Sequence, residues 1–409
     1  MNHSIAIVGS GPAGLMAADL LLNLGYTVSL FERRGAIGRK LFIAGSSGLN
    51  ITNSAGIPEF AEAYSGQNLS FWLSILRDFT PSEWTTFIET HLDQETFLGT
   101  SGRYFIKSKT ALKFVRNWRN RLAKLGCQFF LNHELSQIQT DLPGTAPSRH
   151  RAIQLQFQNR APQTFDAVIL ALGGGAWETE YPIPWPQLFS PFKIQVQEFE
   201  PSNVGWEISL SSDFFKEAEG LPLKNIVFSS MKGSKKGDLV VTSYGLEGTP
   251  IYRLGTGQLC YIDLKPDLTH AEILNKLTRI KENLSPLRRV KKALNLSKAG
   301  EALLFHSLKG KSLTSLESLV DYIKKVPIEL TKPRPLSESI SSTGGLPFSN
   351  LNDNFMIKSM PGVFATGEML DWDAPTGGYL IQGSVSLARA TAKGVQRFLS
   401  SPLLKSTNQ

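Results

Sequence analysis

The N-terminal segment has the apolar and polar pattern of a βαβ unit. Residues 5–8 are apolar and mostly β-branched, residues 12–22 carry apolar positions and helix formers, and residues 27–31 form a second apolar run. Gly25 lies where the helical pattern stops, and helices commonly end in glycine. The pattern predicts two parallel strands joined by a right-handed helical crossover.

The N-terminal half continues with a helix, a hairpin and another strand. Residues 109–125 have helical periodicity, with Ser108 as the predicted N-cap. Residues 128–139 and 152–158 alternate between apolar and polar positions, which predicts an antiparallel hairpin laid across the sheet. Residues 166–172 form an apolar run that predicts a buried strand.

The composition changes near residue 180, where four prolines follow at short intervals. Residues 191–265 read as short strands and turns, and residues 270–326 as helices rich in lysine and arginine, which predicts a β-rich domain at 191–269 and a helical domain at 270–332. A strand and a long helical segment follow nearer the C-terminus. This order predicts an α/β fold, with a two-part Rossmann-like domain (1–190 plus 333–409) interrupted by a β-rich domain and a small basic helical domain.

Three of the predicted strands end in small residues: IAIVGSG near the N-terminus, VILALGGG in the middle and VFATGE near the C-terminus. In an open α/β sheet, ligands bind outside the carboxyl ends of the strands, where the strand order reverses. The sequence therefore predicts one nucleotide site built from three widely separated parts of the chain.

The first of these strand ends carries the spacing G-x-G-x-x-G at residues 9–14. Gly9 permits a tight turn, Gly11 lets the backbone approach a pyrophosphate, and Gly14 lets helix and strand pack closely. Glu32 ends the next strand, where a carboxylate can accept hydrogen bonds from ribose hydroxyls. A tight turn alone would explain the glycines, but both strands and Glu32 together favour a bound dinucleotide.

The C-terminal segment distinguishes between NAD and FAD as that dinucleotide. VFATGEMLDWDAPTGGYLIQ combines a strand, an acidic turn, paired glycines and the start of a helix. In a two-part flavin site, the late strand delivers a glycine–acid pair toward the ribityl chain, and the helix directs its positive end at the flavin pyrimidine ring. A dehydrogenase that binds only NAD needs no such segment, so the tail favours FAD.

These motifs, together with GRKLFIAGSSGLNITN at 38–53, SGRYF at 101–105 and ALGGGAWE at 171–178, resemble the BaiN-type, aminoacetone oxidase-like family of NAD(P)/FAD-dependent flavoproteins. The resemblance runs from residue 5 to about residue 397. It implies a two-part FAD domain interrupted by a β-barrel-like domain and a small helical domain. It also implies that residues 38–53 form a loop along the ribityl chain to the isoalloxazine ring.

The motifs and the resemblance together predict which residues contact FAD. Arg39 and Lys40 are expected near the diphosphate. The larger branch of the family reads GGRCN where this chain has SSGLN, so this loop places no thiol beside the flavin. The predicted cofactor contacts are Gly9, Gly11, Pro12, Ala13, Gly14, Glu32, Arg33, Arg39, Lys40, Leu41, Ser47, Asn50, Thr52, Leu135, Ala171, Leu172, Gly173, Gly367, Glu368, Gly377, Gly378, Tyr379 and Leu380. No catalytic residue is assigned.

Composition excludes several classes of protein. The two cysteines, Cys127 and Cys260, exclude a disulfide framework, a CxxC redox pair and a cysteine-rich metal site. The six histidines have no ligand spacing, so no metal is expected. No apolar run approaches the ~20 residues that span a bilayer. Because the first strand begins near residue 5, we expect no signal peptide, no membrane partner and a cytoplasmic location.

The formal net charge of +8 comes from one segment. Residues 276–311 contain ten lysines and arginines against two glutamates, an excess of eight that equals the excess of the whole chain. A solvated face of a small domain is one interpretation, and a surface for nucleic acid or another anionic partner is the other. Phe305 is the one Phe, Tyr or Trp residue of the segment, which argues against base stacking.

These observations predict an FAD-dependent oxidoreductase that acts on a small organic substrate, with an amine as one candidate, by hydride transfer to the flavin. O2 or NAD(P)H is expected as the second substrate. Two alternatives stay open: an FAD protein that binds nucleic acid through residues 276–311, and a flavin reductase fed by NAD(P)H. Conceivable substrate residues are His306, Glu368, Trp372 and Tyr379, but the leucine neighbours of His306 are more typical of a packed helix.

Overall fold

The structure is a computed structural model of the chain and describes residues 3–45, 48–108, 110–140, 152–178, 183–280, 283–311 and 315–400. Two compact units form, one from residues 1–200 and 341–409 and the other from residues 201–340. The division into three domains stays a prediction.

The elements follow one another in a mixed α/β order. The strands are β1 (Ser4–Val8), β2 (Thr27–Glu32), β3 (Asn50–Asn53), β4 (Thr96–Leu98), β5 (Arg103–Ile106), β6 (Gln128–Leu131), β7 (Leu135–Gln139), β8 (Ile153–Phe157), β9 (Gln163–Phe165), β10 (Ala167–Leu170), β11 (Gln197–Ser202), β12 (Trp206–Ile208), β13 (Pro222–Ser230), β14 (Gly233–Val241), β15 (Gly245–Glu247), β16 (Leu259–Asp263), β17 (Val326–Pro333), β18 (Ser341–Gly345) and β19 (Val363–Ala365). The helices are α1 (Pro12–Asn23), α2 (Arg39–Ala44), α3 (Ile57–Glu62), α4 (Leu69–Asp78), α5 (Pro81–His91), α6 (Ala111–Lys124), α7 (Ser212–Ala218), α8 (Thr249–Leu254), α9 (His270–Thr278), α10 (Pro286–Leu294), α11 (Lys298–Leu308), α12 (Leu316–Lys324) and α13 (Tyr379–Ser400).

The first unit is built on a five-stranded parallel sheet in the order β19-β10-β1-β2-β6. Its central strand β1 is apolar because both faces are covered, and Ile5, Ala6 and Ile7 have no exposed surface. The chain runs from β1 to β2 on one side, while β10 and β19 add to the other side. The strand order therefore reverses beside β1, and the carboxyl ends of β1 and β10 flank the crevice where such sheets bind ligands.

Two sequence predictions for this unit are wrong in detail. Thr110, not Ser108, is the N-cap residue of α6, and the Ser108 hydroxyl donates to the Thr110 carbonyl oxygen at 3.3 Å. Residues 128–131 join the parallel sheet as β6, and only residues 135–139 form the predicted hairpin, with β8 as their partner. Alternating polarity predicted a hairpin for both segments. The edge strand of a parallel sheet can also be partly solvated, so β6 shows the same alternation without belonging to the hairpin.

The second unit contains a closed barrel in the order β12-β15-β14-β13-β16-β17. Alternate side chains point inward, and Ile226, Phe228, Leu239 and Ile262 are buried in the core of the unit. Helices α9 to α12 lie between β16 and β17 in sequence, and Pro286 begins α10, where its missing N–H is not needed. The predicted fold class, a two-part Rossmann-like sheet interrupted by a barrel and helices, is confirmed.

Candidate cofactor site

Three strand ends meet at the carboxyl edge of the parallel sheet. Gly9 follows β1 with a φ of +106°, and a side chain on it would overlap the carbonyl oxygen of Ala171, which follows β10. Gly367 lies after β19 with a φ of +75°, and a Cβ on it would lie 2.7 Å from the Cβ of Ala13. The N-terminal, middle and C-terminal segments therefore contact one another at the predicted position.

The turn before α1 leaves space for a ligand. A side chain on Gly14 would overlap the carbonyl oxygen of Gly9, so close packing of helix and turn requires this glycine. Gly11 instead has a φ of −73° and a ψ of −176°, and a Cβ on it would meet no atom within 4 Å. Pro12 occupies the first turn of α1. The N-terminus of a helix beside open space is the arrangement that binds phosphate.

Glu32 ends β2 beside this turn. Its carboxylate accepts hydrogen bonds from the backbone N–H (3.2 Å) and the hydroxyl of Ser10, and from the backbone N–H of Arg34 (2.9 Å). The backbone N–H of His133 donates to the Glu32 carbonyl oxygen at 2.9 Å, and Leu135 begins β7 two residues later. Glu32 thus has the position expected of a carboxylate that binds a ribose.

Residues 38–53, which the sequence predicts to be a loop, form the short helix α2 and the strand β3. Leu41 is buried in the core of the first unit and anchors α2. The family resemblance implied a loop here, but burial of an apolar side chain stabilises the helical turn. Ser47 lies outside the described residues.

Two cations of α2 contact the segment after β10. Lys40 Nζ donates to the Gly174 carbonyl oxygen at 2.8 Å, and the Arg39 guanidinium donates to the Trp177 carbonyl oxygen at 3.1 Å. Desolvation in the cleft lowers the pKa of Lys40, and the negative charge of Glu368 opposes this shift. A half-buried lysine beside glycine-rich backbone can serve as a charged donor to a phosphate oxygen.

Three arginines surround one carboxylate at the same edge. Glu178 forms ion pairs with Arg33, with Arg34 at 3.1 Å and with Arg39 at 3.8 Å. Desolvation opposes ionisation of Glu178, but the charge and hydrogen bond of Arg33 hold its pKa below the usual value. The sequence did not single out Glu178 or Arg34 as site residues, because an ion pair between segments far apart in the chain leaves no local signal.

The C-terminal glycine turn lies directly against β3. Gly377 and Gly378 have positive φ values of +119° and +93°, and a side chain on Gly378 would overlap the backbone of Thr52. The Asn53 side-chain amide donates to the Gly377 carbonyl oxygen at 3.2 Å. The Thr52 hydroxyl donates to Gln382 Oε1 at 2.7 Å, so β3 also holds the first turns of α13.

The side chains beside this turn are aromatic or half-buried. Tyr379 stacks on Phe60 with ring centroids 4.4 Å apart, and the Tyr64 hydroxyl donates to the Tyr379 carbonyl oxygen at 2.6 Å. Leu380 follows in the first turn of α13. Desolvation raises the pKa of the half-buried Glu368, which comes directly after Gly367.

Two buried polar atoms near the predicted cofactor motifs have no hydrogen-bond partner within the described part of the chain: Asn50 Oδ1 at the start of β3, and Thr366 Oγ1 directly after β19. An unpaired buried polar group costs about 1–3 kcal/mol, so such groups normally bind a ligand or water. Together with the open space at Gly11, they fit a cofactor rich in hydrogen-bonding groups, such as FAD.

The structure thus gathers most of the predicted site residues along one sheet edge. Ala171, Leu172 and Gly173 follow β10, and the Ala171 N–H donates to the Val8 carbonyl oxygen at 2.8 Å. A Cβ on Gly173 would lie 3.5 Å from Lys40 Nζ. The assignment of each residue as an FAD contact stays a prediction.

Metal-binding and nucleophilic groups are scarce in the described part of the chain. Within the described residues, no group of His, Cys, Asp or Glu side chains is arranged to hold a metal ion. Cys127 and Cys260 are free and buried, and burial raises the pKa of Cys127 to about 12. His306 belongs to the second unit, where its ring contacts Ser211 Oγ (3.1 Å) and Glu217 Oε2 (3.0 Å). No helix in the described ranges combines the length and hydrophobicity required to cross a membrane.

Comparison with known proteins decides the family. A family model described as the HI0933-like protein Rossmann domain matches residues 3–394. The chain belongs to the HI0933-like family. This is the BaiN-type, aminoacetone oxidase-like group that the motifs resemble, so FAD is the cofactor and the protein is an FAD-dependent oxidoreductase.

The matches to individual proteins have low sequence identity, but each extends over nearly the whole of this chain. A ribosomal RNA dihydrouridine synthase of Haemophilus influenzae is 24% identical over 413 residues, which cover 96% of this chain and 98% of the relative. A flavocytochrome c3 fumarate reductase gives a TM-score of 0.52 at 13% identity, covering 98% of this chain and 79% of the other. The 3-ketosteroid Δ1-dehydrogenase of Sterolibacterium denitrificans gives 0.51 at 12% identity, covering 98% and 100%. At these identities the structural likeness shows the fold alone.

The raised pKa of Glu368 predicts a pH-dependent effect of its neutral variant. When the pKa of a carboxyl is higher in the folded protein than its unfolded value of 4.5, the free energy of unfolding falls as the pH rises from 4.5 through the folded-state pKa. Glu368→Gln should therefore raise the thermal midpoint of FAD-free protein near pH 7 but not near pH 4. Circular dichroism melts at both pH values measure this. The control Glu62→Gln, at an exposed position, should change neither, and an equal gain from Glu368→Gln at both pH values would contradict the assignment.

Proposed function

We propose that this FAD oxidoreductase reduces a pyrimidine base of structured RNA, and that the basic helices of its second unit bind the phosphate backbone. The observation that carries the proposal is the concentration of exposed cations on those helices. The near-complete match to a relative named for a reaction on ribosomal RNA supports it.

The basic segment presents its charges to solvent. The described cations are Lys276, Arg279, Arg288, Arg289, Lys291, Lys292, Lys298, Lys309 and Lys311, and all except Arg289 are exposed. Across the ranges that the structure describes, Lys291 is the one member that pairs with a carboxylate, that of Glu301 at 2.9 Å. Exposed cations that lack acidic partners favour contact with a polyanion.

The helix α10 shows how this surface is built. Val290 and Leu294 are buried in the core of the second unit, while Arg288, Lys291 and Lys292 are exposed. The apolar side chains hold the helix in place, and the cations cover its outer side. A rigid basic helix can follow phosphates without base stacking, which agrees with the scarcity of aromatic residues in the segment.

The reaction named for the Haemophilus influenzae relative, formation of dihydrouridine, can be written with FAD as the hydride donor. Formation of dihydrouridine adds two hydrogens across the C5=C6 bond of uracil, one as hydride and one as a proton. FAD, when bound, supplies hydride chemistry, and we assign NAD(P)H as the source of the electrons. A substrate base that is part of an RNA would also give the basic surface of this redox protein a function, which is to bind the phosphates of that RNA.

The residues of the first unit have binding and orienting roles in this proposal. The N-terminus of α1 and Lys40 hold the diphosphate, Glu32 holds the ribose, and β3 fixes the turn that directs α13 at the flavin ring. Cys127 and Cys260 are buried, and the segment 38–53 contains no thiol. We therefore assign the proton to a hydroxyl group or to water.

Oxidation of a small amine is the second candidate, and the aromatic ring of Tyr379 beside the glycine turn favours it. Phe60, Tyr64 and Trp372 are buried against their neighbours, but Tyr379 is half-buried and keeps part of its surface accessible. Aromatic faces bind cationic amines, and hydride transfer from an amine needs orientation more than a dedicated acid. O2 would then accept the electrons. A cytoplasmic location remains a prediction for either function.

Anaerobic flavin spectroscopy separates the two candidates. The FAD-loaded protein is reduced with NADPH or NADH and then mixed with unmodified ribosomal RNA transcript, with DNA of the same sequence, or with nothing. We expect the RNA alone to restore the oxidised flavin spectrum, and mass spectrometry of the digested RNA to show uridine heavier by two hydrogens. If the flavin stays reduced when RNA is added, and an amine from a test panel bleaches the oxidised flavin, the function is amine oxidation and not the reduction of RNA.

A further inference from the structure

A stacked pair of aromatic rings borders solvent on the small sheet formed by β3, β5 and β4. Phe97 of β4 and Phe105 of β5 are opposite each other in the antiparallel register. Their ring centroids are 5.6 Å apart, with an angle of 24° between the planes. Phe97 is 48% exposed, and Leu98 beside it is 51% exposed. Apolar side chains that are exposed together indicate a binding surface, whereas a singly exposed one does not.

The aromatic pair lies on the face of this sheet that is turned away from the core. Side chains alternate between the two faces along a strand, and Tyr104 and Ile106 of β5 pack on the core of the first unit. Arg103 and Phe105 occupy the alternate positions and lie on the opposite face. Arg103 Nε is 3.4 Å from the position that a Cβ would take on Gly377. The face that carries the aromatic pair therefore also borders the C-terminal glycine turn.

The same row of side chains begins at a predicted cofactor contact. Asn50 of β3 is the register partner of Phe105, so the order across the sheet is Asn50, Phe105, Phe97. A Cβ on Gly48 would lie 3.8 Å from the Phe105 ring. Neighbouring strands are about 5 Å apart, which places the two rings about 5 and about 10 Å from Asn50 across the sheet. A group stacked on these rings would thus lie next to a molecule that reacts at the flavin.

A base of an RNA strand is the occupant that fits this surface. Unpaired bases that proteins recognise are splayed out and stacked on aromatic side chains. In residues 276–311, which we propose to bind phosphates, Phe305 is the one Phe, Tyr or Trp residue, so that segment offers little for base stacking. A second copy of the chain fits less well. The strand β4 has three residues and lies at the sheet edge, and short edge strands resist pairing with another chain.

We propose that Phe97 and Phe105 form a stacking platform for an unpaired base of the RNA substrate, the one adjacent to the uridine that is reduced. The inference rests on the proposed function, because it names how the RNA of that reaction is held beside the flavin. It assigns the contact with a base to the first unit, whereas the contact with phosphates belongs to the basic helices.

A cycle of protein and RNA variants tests the stacking contact. The probe is an end-labelled RNA stem-loop with one uridine in its loop, and an abasic version lacks the bases on both sides of that uridine. Phe97→Leu removes the ring but keeps an apolar side chain, so it should weaken binding of the intact RNA about tenfold. Binding of the abasic RNA should be equal in wild type and Phe97→Leu. Phe97→Tyr, which keeps the ring, should match wild type with both RNAs.

Fluorescence anisotropy is measured with oxidised, FAD-loaded protein and without NAD(P)H, so a failure of base reduction does not affect the result. Equal affinity of wild type and Phe97→Leu for the intact RNA, or no binding by wild type, would overturn the platform. So would an equal loss with both RNAs, because the effect would then not depend on a base. If reduced wild-type flavin is nevertheless reoxidised by RNA, the proposed function stands without the platform.

Two further results would assign the rings another role. Phe305→Leu replaces a phenylalanine of similar exposure, 52%, in the basic segment and should match wild type. A tenfold loss in Phe305→Leu and none in Phe97→Leu would move the base contact to the second unit. Sedimentation of wild type as a dimer and of Phe97→Leu as a monomer, with equal RNA affinity, would assign the rings to a second copy of the chain. Either result would overturn the proposal.

Discussion

Replacing Gly11 with alanine is expected to leave the fold intact and to remove most of the bound FAD. The protein itself has room for the methyl group, because a Cβ on Gly11 meets no atom within 4 Å. We place the pyrophosphate of FAD in that space, where close approach to the backbone requires glycine. The affinity for FAD should fall at least about a hundredfold, or about 2.8 kcal/mol, while the thermal midpoint of FAD-free protein stays the same.

Gly9→Ala is the matched contrast, because its side chain would overlap the protein's own backbone at Ala171 and its φ is +106°. We expect a loss of at least about 4 kcal/mol in the free energy of unfolding, with or without FAD. Gly126→Ala is a control with positive φ (+92°) and no close neighbour, so about 1–2 kcal/mol should be lost and FAD retained. Denaturant unfolding and FAD titration measure all three. Wild-type affinity for FAD in Gly11→Ala would show that this turn does not hold the pyrophosphate.

Reversing four charges on α10 is expected to weaken RNA binding strongly without affecting FAD binding. The variant combines Arg288→Glu, Arg289→Glu, Lys291→Glu and Lys292→Glu. Each lost phosphate contact reduces the slope of log K against log salt by about 0.9, so four would reduce it by about 3.6. At moderate salt we expect affinity for structured RNA to fall roughly hundredfold or more, measured by fluorescence anisotropy at several salt concentrations.

A second variant controls for net charge. It reverses the same number of exposed cations on helices of the first unit: Arg77, Lys113, Arg116 and Lys124. General electrostatic attraction would weaken equally in both variants, whereas a specific surface weakens only in the α10 variant. The flavin spectrum should be unchanged in both. Equally strong RNA binding by wild type and by the α10 variant would show that the basic segment does not bind RNA.

The plan of the cofactor cleft could be predicted because its parts have local sequence signals. The glycine spacing at 9–14 and the apolar strands depend on adjacent residues, and parallel strands align their carboxyl ends in one sheet. That alignment places Gly9 against Ala171 and Gly367 against Ala13. The C-terminal turn lies directly against β3 because its second glycine leaves no room for a side chain between Gly378 and the backbone of Thr52.

Contacts between distant residues could not be predicted in this way. Glu178 pairs with Arg33 across 145 positions, and the Thr52 hydroxyl bonds Gln382 across 330 positions. Neither contact produces a periodic pattern in the sequence. Residues 38–53 illustrate a second limit, because the family resemblance implied a loop there although burial of Leu41 stabilises a short helix. Tertiary packing outweighs weak local propensity in such short elements.

Hydrogen exchange of the FAD-free protein, before and after addition of FAD, tests most directly whether distant segments of the chain hold one cofactor. We expect the amides of residues 9–14, 50–53, 171–175 and 366–380 to become protected together, with no change in residues 285–300 of the second unit. Protection limited to residues 9–14, with the C-terminal glycine turn exchanging as before, would contradict the account.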